Sequence, residues 1–399
     1  MENGEDIAQK IADLVVESFN GLKLKSGKPV VRSNGVKEWT VMASIVAIID
    51  QKDDDIEPKI VPLTMATGVK ALPDKIRSYS KGRLVHDLHA EILALRLFNW
   101  YLVQECIRIK DELGYNSSVI ERMANGEGYK LKAGVSFGLF ITEPPCGDSS
   151  MQHLVTEKED SSPWVDEKEP SSKRQKVDGQ QESKIDISRG RGNFGKLGIV
   201  RTKPGRSDSQ ITLSKSCSDK LCIKQLLGIT NSFSSVLFPE GVFLDYMILQ
   251  RKKYHEVDMK RCFQSRFLDL LEGKETLHPH PLKILLYDQD HYEFHKPKEK
   301  DVAEPSPLSL LYVIPEKKIQ VLQNGVRNGT YIKNSLPRKG GESFICNWHL
   351  SNQIRSLKSL GYTSYLEFKA SLVARNDLKK IGTTTLGNWN PTSNDDFEL

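Results

Sequence analysis

The amino-acid sequence predicts an α/β fold, and three observations support that prediction. Residues 40–49 and 134–142 are apolar runs rich in β-branched or aromatic side chains, which are typical of buried strands. Residues 88–110 form a long segment that is apolar nearly all round from 92 to 103, which is typical of a buried helix. Strand-like and helical segments continue to alternate along the chain, so we expect helices packed on a sheet.

The composition is that of a protein with a hydrophobic core and without a membrane segment. The 399 residues are 38% hydrophobic and 27% charged, and no apolar run reaches the roughly 18 residues that a membrane-spanning helix needs. The N-terminus is acidic and lacks a signal-peptide pattern. The net charge of +5 permits a nucleic-acid partner without requiring one. We therefore expect a soluble, intracellular protein.

The first elements are a helix, a hairpin and the long helix. Apolar residues recur with a period near 3.6 over residues 7–19, which predicts an amphipathic helix. Residues 40–49 and 56–65 predict two strands that pair as a hairpin at the start of the sheet. Asp87 is a suitable N-cap, so we expect the long helix to begin at about Leu88 and to end near Lys110.

Later elements continue the alternation. The strand at 134–142 leads into Pro144-Pro145-Cys146, and a second helix is expected from Asp148. A further helix is predicted from Ser218 to about Leu227. Residues 236–238 and 242–250 predict a strand-to-helix unit. Strands are predicted at 284–287, 308–314 and 319–322, and a last helix at 365–379.

The composition changes sharply over residues 157–196. This segment is rich in Glu, Lys, Ser, Gln and Gly, so we expect a disordered insertion in one domain that otherwise spans residues 1–399. Within it, Lys173-Arg174-Gln175-Lys176-Val177 has the form of a nuclear-import signal, a pattern that also arises by chance. The nucleus, the cytoplasm or both are therefore the expected location.

Two short motifs indicate metal chemistry. His89-Ala90-Glu91 precedes the long helix, and Pro145-Cys146 follows a strand. A His-x-Glu followed at a distance by Pro-Cys is the first part of the zinc nucleobase-deaminase signature. In such a site Zn²⁺ lowers the pKa of water, and a carboxylate moves the protons. The motifs predict His89 and Cys146 as zinc ligands and Glu91 as the proton shuttle. The alternative is that His89 and Cys146 are a histidine and a cysteine of the hydrophobic core that happen to precede helices.

The third zinc ligand is not where that signature would place it. The usual Pro-Cys-x-x-Cys has Ser149 at its second cysteine position here. Cys222 shares the apolar side of its helix with Leu226, whereas Cys217 lies in a polar turn at the helix entrance, where a thiolate is favoured. Cys217 is therefore the predicted ligand, with Cys222 as the alternative. The remaining cysteines are expected to be inert: Cys106, Cys262 and Cys346.

Arg96 interrupts the apolar pattern of the long helix, on the same face as His89 and two turns beyond it. An unpaired buried charge is very costly, so this guanidinium needs a partner. Two partners for the Arg96 guanidinium are considered: a carboxylate from elsewhere in the chain, and a bound anion.

The motifs together resemble a known family. His89-Ala90-Glu91, Pro145-Cys146-Gly147-Asp148 and Ser216-Cys217-Ser218-Asp219-Lys220, with Arg201-Thr202-Lys203 ahead of the last, are similar to the motifs of the adenosine deaminases that edit RNA. The resemblance runs from about Val41 to the C-terminus, apart from the polar insertion. It implies a three-layer α/β/α zinc-deaminase core with a mixed sheet, extended by additional helices and strands. It also implies hydrolytic deamination of adenosine to inosine.

Within that family, the chain resembles the branch that acts on tRNA. Its catalytic motifs begin near the N-terminus, without room for the double-stranded-RNA-binding domains typical of duplex editors. The resemblance implies deamination of the adenosine 3′ of the anticodon, at tRNA position 37, typically in alanine tRNA. The expected partner is tRNA, with no membrane and no obligate protein partner. The alternatives are editing of double-stranded RNA and a deaminase-like RNA-binding protein without activity.

The resemblance also implies a second cofactor. The family encloses inositol hexakisphosphate (1D-myo-inositol hexakisphosphate) in a basic cavity behind the active site, which would give Arg96 an anionic partner. Asp87 and Lys203 match a polar relay between that cofactor and zinc. At Leu95 and Lys224 the chain departs from the family pattern, so the cavity wall is expected to differ. The matching cofactor positions are Arg96, Lys203, Lys220, Tyr365, Lys369 and Trp389.

On the substrate side, Lys70 matches a residue that reaches toward the target nucleotide. The alternative is an ordinary surface lysine. Residues 204–210 replace a loop that in duplex editors fills the space left by a flipped base. Flipping from a duplex costs a few kcal/mol, whereas a base in a tRNA loop is already partly unstacked. This departure favours a tRNA substrate.

Overall fold

The chain is organised around an eight-stranded mixed sheet. The structure is a computed structural model that describes residues 2–51, 57–152, 188, 195–203, 210, 212–272, 277–297 and 302–399. Its strands are β1 Lys37–Trp39, β2 Met42–Ile49, β3 Lys59–Thr67, β4 Val69–Ala71, β5 Asp87–His89, β6 Ile120–Arg122, β7 Tyr129–Leu131, β8 Val135–Ile141, β9 Tyr246–Gln250, β10 Lys283–Tyr287, β11 Ala303–Pro305, β12 Leu308–Val313, β13 Lys318–Gln323 and β14 Val326–Arg327.

The main sheet has the order β10-β9-β8-β2-β3-β12-β13-β14. Strands β8, β9 and β10 run parallel, whereas β2 pairs antiparallel with both β8 and β3, and β12 with β3. Shorter pairs join β1 to β11, β4 to β5 and β6 to β7. The mixed sheet that the sequence predicts is therefore confirmed.

Helices cover both faces of this sheet. They are α1 Glu2–Asn20, α2 Arg77–Ser80, α3 Ala90–Asp111, α4 Cys217–Leu227, α5 Glu256–Lys260, α6 Leu268–Leu271, α7 Asn347–Leu357, α8 Tyr365–Ser371 and α9 Val373–Leu386. A π-helical turn spans Arg261–Ser265. Within the described ranges, no helix combines the length and the hydrophobicity needed to cross a membrane.

The alternation of side chains along the strands produces the three layers. In β2, Ala43, Ile45 and Ala47 join the core formed with α3. Met42, Val46 and Ile48 join the second core, formed with α1. Because successive strand residues point to opposite faces, each strand contributes to both cores. The α/β fold class is confirmed, with α1 on one face of the sheet and α3 on the other.

Several local predictions differ from the structure. The long helix begins at Ala90 with His89 as its N-cap, so Asp87 is not the N-cap. The reason is a contact distant in sequence: residues 87–89 form β5, which pairs with β4. No strand forms at 236–238, where the 3₁₀ turn Ser234–Val236 ends. The helix predicted over 242–250 is also wrong, because residues 246–250 form β9, which pairs with β8 and β10.

Two further predictions concern the middle and the end of the chain. Asp148 begins a 3₁₀ turn, Asp148–Ser150, and residues 151 and 152 continue as α-helix, whereas residues 153–155 of the predicted helix lie outside the described residues. The predicted last helix is two helices, α8 and α9, which meet at Leu372. The predicted insertion at 157–196 lies outside the described residues except for 188, 195 and 196, and so does the predicted import signal at 173–177.

Candidate active site

His89, Cys146 and Cys217 come from three separate elements and meet at one point. His89 caps α3, Cys146 lies in the loop after β8, and Cys217 is the first residue of α4. The sulfur atoms of Cys146 and Cys217 each lie 3.6 Å from Nδ1 of His89. The backbone N–H of Cys217 donates to Sγ of Cys146 at 3.3 Å. Their metal-binding atoms all lie within 4.8 Å of one another.

These three side chains fit a zinc ion. Zinc–nitrogen and zinc–sulfur bonds near 2.0–2.3 Å in a tetrahedron place the ligand atoms roughly 3.6 Å apart. The two sulfur–nitrogen distances here have that value. Three protein ligands also leave the fourth position of the tetrahedron for a reacting molecule. Cys222, the alternative, instead lies with its sulfur 3.6 Å from that of Cys262.

The thiols differ in how readily they ionise. The hydrogen bond with Cys217 lowers the pKa of the Cys146 thiol well below its usual value, against the effect of burial. Burial raises the pKa of Cys346 to about 11 and raises that of Cys106 as well. Burial and the hydrogen bond to Cys146 raise the pKa of Cys217 as well, so it is geometry that distinguishes the ligands. Among the described residues, Cys106 and Cys346 belong to no group of three side chains that could hold a metal ion.

Glu91 is buried in the first turn of α3, two residues beyond His89. Burial raises the pKa of its carboxyl, and the neighbouring His89 partly opposes that rise. A carboxyl group whose pKa is raised toward neutrality is suited to accept a proton and to return it. The site therefore combines three side chains that could hold a metal ion with a buried carboxyl group that could carry a proton.

Behind His89, Cys146 and Cys217, which are called the metal cluster below because they could hold a metal ion, lies a buried network centred on Asp87. Lys203 donates from Nζ to both carboxylate oxygens of Asp87, at 2.9 and 2.8 Å, and to Sγ of Cys217 at 3.2 Å. Lys220 forms an ion pair with the same carboxylate and donates to Ser214 at 2.7 Å. Burial alone would raise the pKa of Asp87, but the two lysines hold it well below its usual value. The network joins the metal cluster to Lys220.

Two cavities of about 590 and 300 Å³ open beyond Lys220, which lines both of them. Tyr365 and Lys369 line the larger cavity, Arg96 lines the smaller one, and Trp389 lines both. Lys203 lies closer to the metal cluster, where it reaches the cavities through Asp87. The residues that the resemblance implies for the second cofactor are thus adjacent in space.

Three lysines of the cavity walls have a lowered pKa. Burial, together with the neighbouring Arg375 and Lys220, lowers the pKa of Lys224 to about 7. Burial also lowers the pKa of Lys215 and of Lys369 to about 8. Such shifts indicate that the walls disfavour their own positive charge in the absence of an anion.

Arg96 has polar contacts but no carboxylate partner among the described residues. Its Nη2 donates to Oδ1 of Asn347 at 2.8 Å and to the carbonyl of Ile345 at 3.1 Å. Its Nε is buried without a hydrogen-bond partner. Of the two partners that the sequence left open, a bound anion fits this environment better than a carboxylate of the described chain.

Sequence reasoning missed several residues of the cavity walls. Arg375 and Lys379 are spaced i and i+4 in a segment predicted to be helical, so they could have been expected on one helix face with their charges together. Arg77 lies in the basic stretch before β5, where no local pattern indicated a buried role. Lys215 precedes the third motif, and its contacts with Asn390 and Trp389, distant in sequence, hold it at the cavity.

Lys70 lies beside the metal cluster, in β4 rather than in a loop. It pairs with Leu88 of β5, and the neighbouring pair joins Val69 to His89. Burial lowers the pKa of Lys70, and Arg32 lowers it further. The side chain is partly buried, and the charged groups that act on it are Arg32, Glu38 and Glu304.

Comparison with known proteins adds to this geometry. Residues 64–383 match the model of the adenosine-deaminase (editase) domain. A "tRNA-specific adenosine deaminase 1" from Schizosaccharomyces pombe is 33% identical, over 100% of this chain and 98% of that protein. A protein of the same name from Saccharomyces cerevisiae is 35% identical, over 100% of this chain and 96% of that protein. The "Double-stranded RNA-specific editase Adar" from Drosophila melanogaster is 29% identical, over 68% of this chain and 37% of that protein.

Proposed function

The chain belongs to the adenosine-deaminase (editase) domain family, and on that premise we propose that it converts adenosine to inosine in tRNA by zinc-dependent hydrolysis. The observation that carries the proposal is the meeting of His89, Cys146 and Cys217 at tetrahedral spacing, with Glu91 buried beside them. Water replaces the amino group of adenosine, and ammonia leaves.

The residues divide the work of this reaction. His89, Cys146 and Cys217 would hold the zinc, which makes an attacking water acidic enough to lose a proton at neutral pH. Glu91 takes that proton, delivers it to the ring nitrogen and assists the departure of the amine. Lys203 holds the Cys217 thiolate by its hydrogen bond, and Asp87 holds Lys203. Following the resemblance of the motifs, Lys70 would contact the target nucleotide.

A tRNA substrate is supported by the relatives and by the sequence around the site. Both yeast relatives match over nearly their entire length and carry tRNA in their names, whereas the duplex editase matches over a smaller part. We propose, following the resemblance of the motifs, that the target is position 37 in alanine tRNA. We also propose one domain over residues 1–399, acting without an obligate protein partner in the nucleus, the cytoplasm or both.

The basic cavities support a second cofactor, inositol hexakisphosphate. Its proposed contacts are Arg96, Lys220, Tyr365, Lys369 and Trp389 on the walls, with Lys203 and Asp87 linking it to the metal cluster. The buried, unpartnered Nε of Arg96 and the lowered lysine pKa values are the observations that fit a polyanion. Mass spectrometry of the denatured protein tests this directly, because a tightly held polyphosphate would be released. If no polyphosphate appears, the cofactor proposal is wrong.

The activity is tested by measuring inosine in tRNA incubated with the purified protein and with Glu91→Ala. We expect inosine with the unmodified protein and a loss of about 10²–10⁴-fold in rate with the variant, because the proton carrier is missing. The variant should still contain zinc. An RNA duplex serves as the alternative substrate. The matched control is Glu121→Ala, which removes a partly exposed carboxylate paired with Lys130 in β6 and β7. Full activity of Glu91→Ala would contradict the mechanism, and inosine in the duplex alone would contradict the substrate.

A further inference from the structure

Two buried aspartates follow the two cysteine ligands at the same spacing. Asp148 lies two residues beyond Cys146, and Asp219 lies two residues beyond Cys217. Both side chains are fully buried. Neither contacts the metal-binding atoms, and the proposed reaction uses neither. An unpaired buried carboxylate is strongly destabilising, so the groups that pair with them are informative.

Two arginines from a single segment form those pairs. Arg261 donates from Nε to Oδ2 of Asp148 at 3.0 Å and from Nη2 to the backbone carbonyl of Asp148 at 2.7 Å. Arg266 donates from Nη2 to Oδ1 of Asp219 at 2.6 Å. Its Nη1 lies 3.7 Å from Oδ2 of Asp148, so Arg266 spans both aspartates.

A π-helical turn brings these arginines to the same side. The turn spans Arg261–Ser265, and the N–H of Arg266 donates to the carbonyl of Arg261 at 2.8 Å. In such a turn residues i and i+5 lie one above the other, whereas in an α-helix they diverge around the axis. Single π-turns are rare and are frequent at functional sites. Here the turn gives one segment two guanidinium groups with a common direction.

Further hydrogen bonds fix the aspartates to the cysteine segments. Asp219 accepts from the backbone N–H of Arg201 at 2.9 Å and from Ser216 at 2.6 Å, directly before Cys217. Asp148 accepts from the N–H of Gly198 at 2.7 Å. The carbonyl of Cys146 accepts from the N–H of Ser218 at 3.1 Å. A displacement of either aspartate would therefore be passed to a cysteine.

We propose that Arg261 and Arg266 are positioning residues that hold the Cys146 and Cys217 segments at the separation that zinc binding requires. The inference rests on the proposed zinc site but not on the proposed RNA substrate. Without Arg266, Asp219 and Asp148 lose the one side chain of this segment that reaches both of them, so the two cysteine segments are held together less firmly. Groups that orient metal ligands in this way typically change metal affinity by about 10–100-fold when they are removed.

The test is the zinc dissociation constant of the full-length protein, measured without RNA by competition with a coloured chelator. The variants are Arg266→Lys, which keeps the charge but cannot span two carboxylates, and Arg261→Gln. The control is Arg108→Gln, which removes a half-buried arginine paired with Glu105 and Glu316, away from the cysteine segments. Urea unfolding of the zinc-free proteins reports the general stability.

We expect zinc to bind about 10–100-fold more weakly to both site variants and within twofold of normal to Arg108→Gln. The Co²⁺-substituted variants should show a changed visible spectrum, because the thiolates move relative to the metal. If Arg266→Lys and Arg261→Gln bind zinc as tightly as the unmodified protein, the inference is overturned. The inference would also be overturned if all three variants, including Arg108→Gln, bound zinc more weakly and lost the same stability in the zinc-free state. The weaker binding would then reflect a general loss of stability. If the unmodified protein binds no zinc, the proposed function fails together with it.

Discussion

At the scale of single residues, Cys217 and Cys222 have different surroundings, although both lie in α4 and only five positions apart. Cys217 faces His89 and accepts a hydrogen bond from Lys203, so its thiolate would be stabilised by a neighbouring cation. Cys222 packs against Cys262 and donates to the carbonyl of that residue at 3.1 Å. The position at the helix entrance, rather than cysteine itself, distinguishes the predicted ligand.

The Cys217→Ser variant tests this distinction. We expect it to lose the single zinc that the unmodified protein holds, because a serine hydroxyl is a much weaker zinc ligand than a thiolate. Cys106→Ser, a fully buried cysteine in α3, is the matched control and should keep its zinc. Metal content is measured by elemental analysis after removal of free metal. Zinc retained at one equivalent in Cys217→Ser would return Cys222 to consideration.

At the scale of elements, the loop after β8 depends on close approach to α4. Gly147 has φ +109°, and a Cβ atom there would lie 2.2 Å from Oγ of Ser216. Ser216 caps α4 by accepting from the N–H of Asp219. The absence of a side chain at Gly147 therefore allows the Cys146 loop to pack against the helix entrance that carries Cys217.

Gly147→Ala should destabilise the protein by more than a glycine substitution elsewhere. The control is Gly126→Ala, where φ is +73° but a Cβ meets no atom within 4 Å. The control should cost roughly 1–2 kcal/mol for the left-handed backbone alone. Gly147→Ala should cost about 1–3 kcal/mol more, because the added methyl group overlaps Ser216. Urea unfolding measures the free energy of unfolding of both variants. Equal losses of that free energy would contradict the close packing of Gly147 against Ser216.

The local pattern of the sequence was sufficient for elements whose burial is regular. The period of apolar residues located α1 and α3, and the β-rich runs located β2, β3 and β8. The local pattern was insufficient where pairing with a distant segment determines the backbone conformation. Asp87 has the chemistry of an N-cap, but pairing of β4 with β5 extends the backbone through His89 and moves the helix start.

The same limit applies to the site. The motifs named His89, Cys146 and Cys217, and those side chains do meet, because each stands at the end of a strand or the start of a helix. No motif in the sequence indicated a role for Arg261 and Arg266, because residues five positions apart share neither a face of an α-helix nor a face of a strand. Their role depends on a π-turn, which no local pattern in the sequence predicted.

At the scale of the whole molecule, the cavity walls bring together cations from distant parts of the chain. Lys215, Lys224 and Lys369 all have a pKa below the ordinary 10.5, with burial as the main cause. Between about pH 7 and 10.5 the anion-free folded state therefore binds fewer protons than the unfolded state. Its stability should rise with pH in that window and fall as the pH is lowered.

A bound polyanion should reverse this effect. It favours the charged lysines, so binding should take up protons, up to three at pH 9 and fewer at pH 6, and should be tighter at pH 7 than at pH 9. Calorimetry with inositol hexakisphosphate, in buffers of different ionisation enthalpy, measures the uptake on protein freed of its anion. Lys369→Gln should take up fewer protons than the unmodified protein. Heats that do not depend on the buffer would contradict the proposed electrostatics of the cavities.

The most direct test of the central claim is reconstitution of metal-free protein with zinc, followed by sequencing of tRNA from the reaction. Inosine should form in proportion to added zinc, reach its maximum at about one zinc per chain, and stand at a single position beside the anticodon. The Cys217→Ser protein should form none at any of these zinc levels. Full conversion by the metal-free protein, or by Cys217→Ser without bound zinc, would contradict the account.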